Sequence, residues 1–162
     1  MAASLRSMSS RDRMDTPLAP WGDPRSLVLL VEDHDDTRFM LRTLLELRGL
    51  DVVEAVNGEQ AVELAERMRP RVVLMDGVLP KLDGYSATRR IRQIPSLRDV
   101  AIVVLSGHAG TDFRNLAFAA GCNDYLVKPI DFDQLYRILD RYCLQKEQSL
   151  KLRDGGDHVN QF

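Results

Sequence analysis

Short runs rich in apolar residues, each followed by a stretch of helical period, leave this chain few folds to adopt. The runs lie at residues 27–31, 51–56, 72–75, 101–105 and 124–127. A strand that is apolar at nearly every position must be covered on both faces, as a parallel strand is between two layers of helices. The intervening segments each carry one apolar face: Met40, Leu41, Leu44 and Leu45 in the first, Ala61, Leu64, Ala65 and Met68 in the second. A third helix is expected near 85–93, a fourth near 112–120, and a fifth from Asp131, with Phe132, Leu135, Ile138, Leu139 and Tyr142 near one side. Punctuation agrees, since Gly49 follows the first helix, Asn57-Gly58 turns into the second, Pro70 ends it and Asp83-Gly84 opens the third. The pattern predicts an α/β doubly wound parallel sheet of five βα units and leaves the strand order open.

The chain has 162 residues, enough for one sizeable core. Residues 1–25 hold Ser, Arg and Pro with little apolar periodicity and read as a flexible leader, on which Trp21 is either a packing residue or a recognition anchor. The folded unit is expected over 26–144, followed by a polar tail at 145–162 that extends the last helix or frays. A formal net charge of −2 gives no general attraction to nucleic acid, and neither flank has room for a helix-turn-helix unit, so no direct nucleic-acid partner is expected. No apolar run approaches the length of a membrane span and no secretory signal pattern is present, which makes a cytoplasmic location the expectation. Cys122 and Cys143 lack metal-ligand spacing and read as reduced thiols.

In an open parallel sheet, ligands gather beyond the carboxyl ends of the strands. Glu32 and Asp33 follow the first run, Asp76 the third, Ser106 the fourth and Lys128 the fifth. Carboxylates converging on one edge repel one another unless a cation sits among them, and hard oxygen donors suit Mg²⁺, with Mn²⁺ as the substitute. Asp76 is the best nucleophile toward phosphorus, Lys128 supplies positive charge for a phosphoryl oxygen, and the Ser106 hydroxyl supplies a hydrogen bond. Each assignment alone competes with a cap or solvated loop residue. Together, at matched strand ends, they argue for a phosphoryl site.

The segments Val31-Glu32-Asp33, Leu74-Met75-Asp76, Leu79-Pro80-Lys81-Leu82-Asp83-Gly84, Val104-Leu105-Ser106-Gly107 and Asp124-Tyr125-Leu126-Val127-Lys128-Pro129 resemble the hallmark segments of response-regulator receiver domains of two-component systems, the CheY-like superfamily. The resemblance covers about residues 27–142 and implies a flavodoxin-like (βα)5 sheet in the order 2-1-3-4-5. It makes Asp76 the phosphoacceptor, with Mg²⁺ held by Glu32, Asp33, Asp76 and the backbone carbonyl of Val78. Ser106 matches the switch hydroxyl, Tyr125 its aromatic rotamer partner and Lys128 the phosphate-binding lysine, while the Lys128-Pro129 peptide matches one that is cis in the family. Gly77 departs from the family's bulky apolar residue and is expected to loosen the loop carrying Val78. Leu79 stands where methionine is common and Gly107 where alanine is. Val78 and His108 occupy positions that influence phosphoryl lifetime in the family; His108 reads best as a solvated loop residue, and His34 and His158 receive no role.

The resemblance implies a stand-alone signalling phosphoacceptor, not an enzyme acting on a separate substrate. It takes a phosphoryl group from a sensor histidine kinase or a histidine phosphotransfer protein and presents an altered surface to a downstream protein, with a homodimer possible through the same face. Phe113, Leu116 and Phe118 on the fourth helix and Tyr136 on the fifth are candidate contacts, although core packing is expected for at least half of them. A phosphorylation-independent interaction module on the same fold is the alternative. A phosphatase of the haloacid dehalogenase kind would need an acid two residues after Asp76, where Val78 stands.

Overall fold

The computed structural model describes residues 26–144; the expected leader at 1–25, with Trp21, and the tail at 145–162, with His158, lie outside the described residues. Along the chain run β1 (Leu27–Val31), α1 (Asp35–Leu47), β2 (Asp51–Ala55), α2 (Gly58–Met68), β3 (Val72–Asp76), α3 (Gly84–Gln93), β4 (Ala101–Ser106), α4 (Thr111–Ala120), β5 (Asp124–Val127) and α5 (Phe132–Leu144). A single turn of 3₁₀ helix, Pro95–Leu97, which the apolar pattern does not announce, joins α3 to β4. All strand pairs are parallel and the sheet order is β2-β1-β3-β4-β5. This is the flavodoxin-like arrangement that the resemblance implied.

Alternation along each strand divides the core into two layers. Leu29, Val31, Val73, Met75, Ile102 and Val104 point to one side and pack on Ala61, Leu64 and Ala65 of α2, Ala87 and Ile91 of α3 and Ala117 of α4. Val28, Leu30, Val72, Leu74, Val103, Leu105 and Leu126 point to the other, against Leu41 and Leu45 of α1 and Leu135, Ile138 and Leu139 of α5. Every residue of β1, β3 and β4 is buried, which is why those runs are continuous instead of alternating. Edge strand β2 is only half-buried and carries Asp51 and Glu54.

Helix starts follow local chemistry. Asn57 and Asp83 occupy the N-caps of α2 and α3, their side chains accepting the Gln60 and Ser86 backbone N–H at 2.8 and 2.9 Å. Gly84 has a further reason to be glycine: an added Cβ would lie 1.9 Å from the Asp76 carbonyl oxygen. The start of α3 is therefore pressed against the end of β3, and the Gly84 N–H donates to the Gly77 carbonyl at 3.1 Å.

Of the four candidate contact residues, Phe113, Leu116 and Phe118 are exposed, so the expected core packing fails for three of them. The side of α4 opposite Ala117 and Ala120 faces solvent, and burying those alanines needs only a narrow stripe. Tyr136 is half-buried, with the Arg48 guanidinium 4.1 Å above its ring.

Leu30→Ala removes a fully buried side chain and should cost about 2–5 kcal/mol. Leu47→Ala, at a position 79% exposed, should stay within about 0.5 kcal/mol of the parent in the same urea titration. Gly84→Ala overpacks a backbone contact and should lower stability by about 1–3 kcal/mol, read by thermal unfolding.

Candidate functional site

Parallel pairing lines up the carboxyl ends of four strands. Val31 sits beside Met75, Asp76 beside Leu105 and Ser106 beside Val127, so residues at or just past these positions emerge along one edge. Strands about 4.8 Å apart bring such side chains within reach of one another. Asp76 and Ser106 prove to be the last residues of β3 and β4, one position further into the strands than the apolar runs suggested. Both inherit the rigidity of the sheet.

The centre of the site is the Lys128 ammonium, 3.0 Å from Glu32 Oε2 and 3.2 Å from Asp76 Oδ2. Glu32 is 0% exposed and Asp76 5%, so neither carboxylate is neutralised by bulk water. Burial pushes the Glu32 carboxyl up, but the His34 backbone N–H and the Lys128 ammonium together hold it below the ordinary value. Asp76 goes the other way, raised by burial and by the Glu32 charge against the pull of the Val78 N–H and Lys128. Burial works against the Lys128 charge, yet Glu32 and Asp76 outweigh it and raise its proton affinity. The geometry thus holds one cation between two buried carboxyl groups.

Asp33 lies beside this pair. Its Oδ1 is shielded from water and accepts no hydrogen bond, although His34 Nδ1 stands 3.2 Å away. Charge attraction acts at that distance without the angle a hydrogen bond requires, so Oδ1 remains an unused donor atom for a cation. Glu32, Asp33 and His34 bring ligand atoms within 4.8 Å of one another; Asp76 lies outside that trio and joins it through Lys128 and Glu32. Hard carboxylate oxygens, one of them unpartnered, are a donor set that fits Mg²⁺. His34 was given no role from the sequence, yet its Nδ1 also lies 3.2 Å from Glu32 Oε1, and the bond to Glu32 first, then the Asp33 charge, raises its proton affinity. The consecutive acidic pair before it was the available signal.

Val78 donates its backbone N–H to Asp76 Oδ1 at 3.0 Å while its side chain is exposed. At Gly77 the backbone N–H donates to the Leu105 carbonyl at 2.9 Å and the carbonyl accepts from the Gly84 N–H. Ser106 is buried, its Oγ accepting the His108 N–H at 3.2 Å. Tyr125 is buried, with its hydroxyl donating to the His108 carbonyl at 2.6 Å. That carbonyl gives the phenol a partner and the surrounding apolar cluster takes the ring. His108 is an exposed loop residue, as expected, and its ring stacks on Phe113 at 4.0 Å between centroids. Tyr85, which the sequence reading placed only at the start of a helix, reaches to 3.5 Å from Ser106 Oγ. The Lys128-Pro129 peptide is cis.

The profile of the response regulator receiver domain matches residues 28–140. Among solved structures, the receiver domain of the sensor histidine kinase PA1611 from Pseudomonas aeruginosa PAO1, determined with magnesium coordinated in its active-site cleft, is 42% identical with a TM-score of 0.69, covering 73% of this chain and 97% of that one. Among characterised sequences, Protein PilH of Pseudomonas aeruginosa is 31% identical over 113 residues, 70% of this chain and 93% of its own length. An uncharacterised 14.6 kDa protein of Leptolyngbya boryana is 37% identical over 117 residues, 72% of this chain and 89% of its own. The chain spans less than half the length of several transcriptional regulators that it also matches. With the fold, the strand order and this likeness in agreement, the chain belongs to the response regulator receiver domain family of two-component signalling.

Proposed function

We propose that Asp76 accepts a phosphoryl group from a phosphohistidine on a sensor kinase or a histidine phosphotransfer protein, and that the chain works as a stand-alone response regulator in the cytoplasm. The observation that carries this reading is the Lys128 ammonium held 3.0 and 3.2 Å from the buried Glu32 and Asp76 carboxylates. An Asp76 oxygen attacks phosphorus, the P–N bond of the donor breaks, and the departing imidazole keeps the electron pair and takes up a proton. Lys128 then exchanges a carboxylate partner for a phosphoryl oxygen, and the Ser106 hydroxyl donates to another. Glu32, Asp33, Asp76 and the Val78 carbonyl would hold Mg²⁺, or Mn²⁺ in its place, which supplies charge neutralisation for the equatorial oxygens.

The output follows from what Ser106 touches. Its Oγ accepts from the His108 N–H and the His108 carbonyl holds Tyr125, so movement of Ser106 toward a phosphate is transmitted to the loop between β4 and α4. Phe113 stacks on His108, and Leu116, 54% exposed, follows one turn on. This face is where the proposed reading puts the downstream protein or a second copy of the chain. Acyl phosphate loss by water completes the cycle, so the chain promotes only its own phosphorylation and dephosphorylation.

Acetyl phosphate with Mg²⁺ should add one phosphate-sized mass to the intact protein, and Asp76→Ala should abolish the gain. Lys128→Ala should slow labelling by about 10²-fold, as removal of a single preorganised charge does elsewhere. No gain in the parent protein would leave the phosphorylation-independent module standing. Mg²⁺ without phosphodonor should raise the melting temperature, by the equivalent of about 2.7 kcal/mol at a hundred times its Kd, and Asp33→Asn should remove most of that rise.

A further inference from the structure

The Gly77 departure and the Tyr85 side chain occupy one space. A Cβ on Gly77 would stand 3.0 Å from the Tyr85 hydroxyl oxygen and 3.3 Å from two of its ring carbons. With glycine after Asp76, a phenol from the first turn of α3 fills the space that a side chain there would take. The half-buried Tyr85 thereby puts its oxygen 3.5 Å from Ser106 Oγ, and burial together with the nearby Tyr125 and Asp76 keeps the phenol protonated.

A serine hydroxyl has one proton and two acceptor directions. On Ser106 one acceptor direction takes the His108 N–H at 3.2 Å. The Tyr85 and Ser106 hydroxyl oxygens stand 3.5 Å apart, where either can be the donor, a separation that a small inward shift of either group closes. When the Tyr85 hydroxyl donates into the second direction, both acceptor directions are engaged and the Ser106 proton is left for a third partner. A hydroxyl that accepts a hydrogen bond also becomes a better donor.

Resting on the phosphoacceptor reading, we propose that Tyr85 is a positioning residue for phosphoryl transfer: its hydroxyl, admitted by Gly77, orients the Ser106 hydroxyl toward the phosphoryl group on Asp76. It acts on the charge that develops on the phosphoryl oxygens, so both formation and hydrolysis of the acyl phosphate depend on it. It touches neither reacting atom.

The test is a double-mutant cycle on the full chain with acetyl phosphate and Mg²⁺, following labelling and loss of label by intact mass. Tyr85→Phe keeps the ring and should slow both steps about three- to tenfold, the weight of one hydrogen bond. In a Ser106→Ala background the same substitution should change either rate by less than about twofold, because the hydroxyl it orients is gone. Gly77→Ala, which moves the ring but keeps the phenol, should fall between the parent and Tyr85→Phe. A Tyr85→Phe protein that matches the parent, or one that is slowed equally with and without Ser106, would overturn the inference while leaving the phosphoacceptor reading intact. A parent protein that takes no label removes both.

Discussion

An ammonium group between two buried carboxyl groups is the constraint around which the rest of this structure is arranged. Glu32 is fully buried and Asp76 nearly so, and a carboxylate in such surroundings is tolerated only beside an opposite charge. Lys128 supplies it from the far side of the sheet, 96 residues from Glu32 and 52 from Asp76 in sequence. The His34 N–H and Lys128 hold the Glu32 carboxyl below its ordinary value, while burial and the Glu32 charge raise that of Asp76.

The fold makes this possible because its strands are stiff and their ends are level. Burial on both faces fixes β1, β3 and β4 in two apolar layers, and parallel register then delivers Asp76 and Ser106 from the last positions of neighbouring strands. Hydrogen bonds at Gly77 and the close approach of Gly84 to the Asp76 carbonyl tie Asp76 to α3. Ser106, His108 and Tyr125 tie the same edge to α4.

Much of this is legible in residue order. Continuous apolar runs announce buried parallel strands, Asn57 and Asp83 announce helix starts, and the residues after each run announce the reactive edge. What escaped has one common cause, which is contact between segments distant in the chain. Arg92, to which the sequence reading gave no part, donates from its guanidinium to the Gly121 and Val100 carbonyls and the Asn123 side chain, tying α3 to the start of β4 and the end of α4. His34 and Tyr85 were passed over for the same reason.

The sequence by itself determined the alternation of strand and helix, the burial of the strands and the set of charged groups at their ends, because these depend on unbroken apolar runs, on the 3.6-residue helical period and on chemistry carried by each side chain. Tertiary structure alone decided which carboxylate the lysine meets, that Tyr125 lies inside, and that Tyr85 fills the space Gly77 leaves. Those outcomes are set by distances between strands and helices that no local periodicity encodes.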